Sequence, residues 1–164
     1  MGALVIMNQQ TLKSIVTYSD GNLFWKSKRN GIKSTNALGW ITDKGYLRCE
    51  INSVAYYIHR LIFLYHNGYM PKAIDHIDGN PLNNKIENLR ACSQAENMQN
   101  YKKPKTNTSG IKNVSWASRQ KKWHVRVRSG NKDCHIGFFD SKFEAACAAY
   151  SARNKLHGEF CRHI

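Results

Sequence analysis

Acidic residues are scarce in this chain. Its 164 residues hold 11 Asp and Glu against 25 Lys and Arg, a formal net charge of +14. Long hydrophobic runs are missing altogether. No apolar stretch approaches the length of a membrane span, and Leu4 to Met7 is too short for a signal-peptide core. The five cysteines are odd in number and contain no C-x-x-C pair, which argues against a disulfide framework or a cysteine-rich zinc site. A reducing cytoplasm fits that usage, and no membrane partner is expected. Internal repeats and low-complexity tracts are absent as well. What remains is an ordinary globular mix, 41% hydrophobic and 22% charged, which excludes wholesale disorder. The length suits one ordinary domain or two small ones, not a large enzyme scaffold. A surface this positive attracts a polyanion, and with no lipid-binding amphipathic helix nucleic acid leads acidic membranes.

The charge is unevenly spread. Residues 1–100 carry 11 basic and 7 acidic side chains, a net of +4; residues 101–164 carry 14 and 4, a net of +10. Between them Asn100-Tyr101-Lys102-Lys103-Pro104-Lys105-Thr106-Asn107-Thr108-Ser109-Gly110 is polar, basic and broken by Pro and Gly, the composition of an extended linker. Its Lys102, Lys103 and Lys105 are candidate contacts to backbone phosphates. The expected organisation is a module over 1–99, a basic linker over 100–110 and a second module over 111–164.

In the first module, Leu23-Phe24-Trp25 and Gly39-Trp40-Ile41-Thr42 have strand character, with Trp25 and Trp40 as core residues. Tyr46-Leu47-Arg48-Cys49-Glu50-Ile51 alternates, Asn52-Ser53 turns, and residues 54–58 pair back as a hairpin. Residues 59–66 change period to a helix with Leu61, Ile62, Leu64 and Tyr65 on its apolar face, stopped at Asn67-Gly68. Structural roles are expected for His59 and His66.

Chemistry concentrates in residues 73–97. Ala73-Ile74-Asp75-His76-Ile77 is a short strand ending at the turn Asp78-Gly79-Asn80. Residues 81–87 form a polar loop, and Leu89-Arg90-Ala91-Cys92 returns as a strand. Ser93-Gln94-Ala95-Glu96 is a capping box opening a helix to about Gln99. Asp75 and His76 are neighbours on a strand, so their side chains point to opposite faces unless the strand bends at the turn. The Asp75 carboxylate and the Asn97 amide oxygen make a hard, sparse donor set, suited to one Mg²⁺ or Mn²⁺ that retains waters and substrate phosphate, and poor for zinc. No structural zinc and no small-molecule cofactor are expected. His76 is then left as a general base, since imidazole titrates near working pH.

Residues 59–100 resemble the HNH endonucleases, the ββα-metal or His-Me finger nucleases, and especially small phage homing endonucleases. The resemblance rests on His59-Arg60-Leu61, on Asp75-His76-Ile77-Asp78-Gly79-Asn80, on Asn83-Asn84-Lys85-Ile86-Glu87-Asn88-Leu89-Arg90, and on Asn97. It implies that His76 activates the attacking water and that Asp75 and Asn97 hold one divalent cation. It also implies that Asn88 cross-braces the loop and orients the histidine. Phosphodiester hydrolysis by this set leaves 5′-phosphate and 3′-hydroxyl ends.

In the second module, Val114-Ser115-Trp116, the run from Trp123 to Arg128 and the run from Cys134 to Phe139 are three short strands. On the middle one Trp123, Val125 and Val127 share a face, leaving His124, Arg126 and Arg128 on the other. Ser141-Lys142-Phe143-Glu144 is another capping box. Phe143, Ala146, Cys147 and Tyr150 follow at helical spacing, so a helix to about His157 covers the sheet and leaves its other face bare and cationic. Core packing is expected for Trp116 and Trp123.

Residues 109–162 resemble the Apetala-type (ethylene-response-factor) DNA-binding domain. The matching residues are Ser109-Gly110-Ile111-Lys112-Asn113-Val114, Lys122-Trp123, Arg126-Val127-Arg128, Ile136-Gly137-Phe138-Phe139-Asp140, Glu144-Ala145-Ala146 and Leu156-His157-Gly158. The resemblance implies that Lys112, Arg126 and Arg128 contact double-stranded DNA. Asp133 and His135 stand where plant members carry an Arg and an exposed Trp, so no target sequence carries over. The expected fold is α+β: β-hairpins and a ββα-metal nuclease module, then a three-stranded antiparallel sheet packed on one helix. The expected activity is metal-dependent, site-selective DNA cleavage by a phage-encoded enzyme acting in the host cytoplasm. The alternatives are a non-cleaving DNA-binding regulator on the same scaffold and, more weakly, an RNA-binding protein.

Overall fold

The computed structural model describes residues 7–27, 36–100, 106–130 and 132–161. They fall into two compact units, divided between Ala91 and Cys92.

The first unit opens with a helix that the sequence pattern does not announce, α1 (Gln9–Ile15), whose N-terminus is capped by Asn8 accepting from the Thr11 N–H at 2.8 Å. Strands β1 (Val16–Ser19) and β2 (Asn22–Trp25) pair antiparallel across Asp20 and Gly21, both at positive φ (44° and 78°). Two positive-φ residues make the mirror-image turn whose twist matches the flanking strands. Strands β3 (Trp40–Ile41), β4 (Leu47–Ile51) and β5 (Val54–Tyr57) form a second antiparallel sheet, and Asn52 and Ser53 turn β4 into β5 in the same way. Helix α2 (Ile58–Asn67) follows and ends where Gly68 enters the left-handed region, its N–H returning to Leu64 O at 3.0 Å. The two-stranded sheet of β6 (Ala73–His76) and β7 (Leu89–Cys92) closes the unit, the strands being joined by a long loop that ends in a 3₁₀ turn at Ile86–Asn88.

Burial explains this order. Helix α2 sinks Ile58, Leu61, Ile62, Phe63 and Leu64 against Leu12, Val16, Leu23, Trp25 and Ile51. Each such side chain contributes about 1.5–3 kcal/mol from the area removed from water. Trp25 joins this core as expected, but Trp40 does not: it is 53% exposed. β3 is only two residues long at a sheet edge, and both its side chains stay outside.

In the second unit the capping box is complete around α3 (Gln94–Gln99), with Ser93 and Glu96 each accepting from the other's backbone N–H. Strands β8 (Val114–Ala117), β9 (Lys122–Ser129) and β10 (Lys132–Phe139) form an antiparallel sheet in the order β10-β9-β8, followed by α4 (Lys142–His157), which Ser141 caps.

Three expectations are corrected here. The face of α4 turned to the core is Ala145, Ala149, Arg153 and His157, whereas Phe143 is 76% exposed and Cys147 and Tyr150 are also outside. Small alanines let the helix lie close over Val114 and Val125, and a bulky face would hold it away. Trp116 lies 48% exposed, its ring meeting Trp123 edge-on at 5.1 Å; only Trp123 packs against the core. The stretch read as linker is in part folded: Asn100 and Ser109 are buried, and Ser109 Oγ donates to Val114 O at 2.7 Å. Short polar side chains that hydrogen-bond their own backbone look like linker by composition while building a compact turn. Residues 101–105 lie outside the described residues.

Candidate active site

The loop between β6 and β7 is tied together by its own side chains. Asp78 accepts from the Asn80 N–H at 2.8 Å and from the amides of Asn83 (2.7 Å) and Asn88 (2.9 Å). Asn88 also accepts from the Asp78 N–H at 3.0 Å and donates to Asn83 O at 2.7 Å, while its backbone carbonyl accepts from the Ile77 N–H. One asparagine thus bridges both ends of the loop. Burial pushes the Asp78 carboxyl upward, but the donors from Asn80, Asn83 and Asn88 prevail and hold it below the usual carboxylate range.

His76 ends β6 and is only 6% exposed. Its Nε2 lies 3.0 Å from Oδ1 of Asn84, a fully buried residue of the same loop. The ring meets His59 of α2 edge-on at 5.2 Å, and Tyr46 stands 6.2 Å away. Burial lowers the His59 pKa to about 3, helped by the charges on His76 and Arg60. At neutral pH His59 is therefore an uncharged wall beside His76.

Asp75, the preceding residue of β6, is paired across the sheet. Arg90 of β7 brings two N–H groups to one carboxylate oxygen, Nε at 2.9 Å and Nη2 at 2.7 Å, in a pair that is almost wholly buried. Charge-assisted bonds of this kind fix the carboxylate firmly. Asn97 is half-buried on α3 and belongs to the second unit. Among the described residues no three His, Cys, Asp or Glu side chains gather in one place. A carboxylate and an amide oxygen nevertheless fit a hard divalent cation that keeps most of its shell as water or phosphate. Arg90 already engages the Asp75 carboxylate that would serve as the anionic donor.

On the second unit, Arg126 and Arg128 lie on the outer face of the sheet with His124, and both arginines are exposed. That face is not uniformly cationic. His124, His135 and Phe138 form a ring cluster with centroids 4.8–5.0 Å apart, and Arg126 faces Asp133 at 3.9 Å. Lys112 donates to Gln99 O at 2.9 Å and, with Arg128, Asn113 and His157, lines a cavity of about 530 Å³. Lys102, Lys103 and Lys105 lie outside the described residues. Sequence reasoning gives no role to Asn84 or Arg90. The Asn83-Asn84 doublet was the available signal, but which of the two turns inward is decided by packing.

These features define a class. Residues 56–99 match the HNH endonuclease family model, so the chain carries an HNH endonuclease domain, whose substrate is nucleic acid. The chain belongs to the family of Protein 3.8 of Escherichia phage T7, with which it shares 43% identity over 98 residues, 58% of this chain and 80% of that protein. No solved structure matches it.

Proposed function

We propose that this protein is a divalent-metal-dependent, site-selective DNA endonuclease whose first module cuts and whose C-terminal module chooses the place. In this reading His76 takes the proton of the attacking water, Asp75 and Asn97 hold one cation, and Asn88 keeps the loop in shape. When bound, Mg²⁺ or Mn²⁺ would supply charge stabilisation at the phosphate and the leaving oxygen. The observation that carries the reading is a loop-end imidazole, anchored through one ring nitrogen, inside the HNH match. The Apetala-type resemblance, the order β10-β9-β8 under one helix and the outward Arg126 and Arg128 support a DNA-reading role for the second unit. Lys112 and the lysines at 102, 103 and 105 would add phosphate contacts. Joining the modules raises the effective concentration of the cutting site at its target.

The test is cleavage of plasmid and genomic DNA with Mg²⁺ or Mn²⁺, wild type against His76→Ala. Loss of the base is expected to slow cleavage by about a hundredfold or more. Binding without cleavage, with both metals and across a broad set of targets, would instead indicate a DNA-binding regulator. The engaged Asp75 carboxylate and the low exposure of His76 are what keep that second reading in play.

A further inference from the structure

The segment carrying the residue that touches His76 is held by a hairpin from the N-terminal part of the first unit. The Ile86 N–H donates to the Tyr18 hydroxyl at 3.2 Å, and Lys85 pairs with Asp20 at 2.7 Å. Between these contacts the β1–β2 turn lies directly on the loop. A Cβ at Gly21 would stand 3.0 Å from Lys85 N and 3.2 Å from Asn84 C, and Gly21 has φ +78°. Both the close approach and the backbone conformation call for glycine. Thus Tyr18, Asp20 and Gly21, all outside the 56–99 match, grip residues 84–86 from one side.

Asn84 is an odd choice for a purely structural position. It is 1% exposed, its only side-chain hydrogen bond among the described residues goes to the imidazole, and its Nδ2 has no partner. A buried unsatisfied amide nitrogen costs stability that a leucine of similar size would not. The amide oxygen explains why it is tolerated. Oδ1 only accepts, so Nε2 of His76 must carry the hydrogen. In the neutral ring the lone pair then resides on Nδ1, the nitrogen that has to take a proton from water. The opposite tautomer would present an N–H to that water and could not act as base.

We propose that Asn84 is a positioning residue that fixes the tautomer and rotation of His76, and that the β1–β2 hairpin sets its place. This rests on the reading of His76 as the base. It goes beyond that reading by making a segment outside the HNH match part of the catalytic apparatus.

The test combines spectroscopy with kinetics on the full chain. Imidazole ¹⁵N spectra of the wild type, recorded where the ring is neutral, are expected to show His76 protonated on Nε2 and bare on Nδ1. Asn84→Leu is expected to mix the two tautomers and to lower kcat by about tenfold or more, with KM unchanged, since general-base catalysis depends on a correctly presented lone pair. Asn84→Asp keeps an acceptor and is expected to restore both the spectrum and most of kcat. Gly21→Ala is expected to shift the same ¹⁵N resonances and to lower kcat without weakening DNA binding. A wild-type ring protonated on Nδ1 would overturn the proposal. So would an Asn84→Leu protein with wild-type kcat and spectrum. If Asn84→Leu does not fold, the wild-type spectrum and the Asn84→Asp variant still decide the matter. A wild type that cuts no DNA counts against the nuclease reading, while the spectrum still reports the tautomer.

Discussion

Burying a neutral histidine makes the first unit acid-sensitive over a definable range. His59 has its pKa lowered from 6.5 to about 3 by burial and by the neighbouring charges. Between those values the unfolded chain binds a proton that the folded chain refuses, so stability rises with pH and falls on acidification. Each pH unit inside the window is worth about 1.4 kcal/mol, so acidifying from pH 6.5 to pH 4 costs about 3 kcal/mol from this one ring. Against a total stability of about 5–15 kcal/mol for a typical domain, that loss is large. The measurement is amide exchange of α2 at pH 6.5, 5.5 and 4, in wild type and in His59→Phe. Groups remote from His59 contribute equally in both proteins and cancel in the difference, which reports His59 together with its coupling to His76. The phenylalanine variant is expected to lose about 3 kcal/mol less than wild type between pH 6.5 and pH 4. Parallel pH dependences in the two proteins would refute the argument and mean that His59 accepts its proton without unfolding.

Two further outcomes bear on the proposed nuclease. Asn97→Ala is expected to weaken Mn²⁺ binding and to lower activity in a way that excess metal partly restores; a lost fold, read by circular dichroism, would make Asn97 structural instead. Replacing Arg126 and Arg128 together by Ala is expected to weaken DNA binding and to reduce the salt-dependence slope by about 2, if each arginine neutralises one phosphate. Metal affinity should not change. An unaltered slope would mean that another face of the second unit meets the DNA.

Local signals carried much of the fold. The Asn52-Ser53 hairpin, the stop of α2 at Gly68, the Ser93–Glu96 capping box and the three C-terminal strands are each set by neighbours within a few residues, and each is found in place. Asp20-Gly21 was an equally local hairpin signal, and it defines β1 against β2. The Asp75-His76 pair, the asparagine-rich loop and Asn97 all lie within the segment that the family model matches.

What the chain alone could not disclose depends on distance and depth. Periodicity offers two candidate faces for α4, and the close approach that only Ala145 and Ala149 permit selects the small one. Trp40 and Trp116 have core-forming side chains, yet short edge strands leave them outside. Asn84 and Arg90 acquire their roles only when a loop folds back over β6 and β7 pairs with it, because a hydrogen bond between residues eight or fifteen positions apart leaves no local pattern. Sequence determined which chemical groups are present and in what order. Tertiary packing decided which of them are buried together, since burial and contact are properties of the folded chain and not of its neighbours in line.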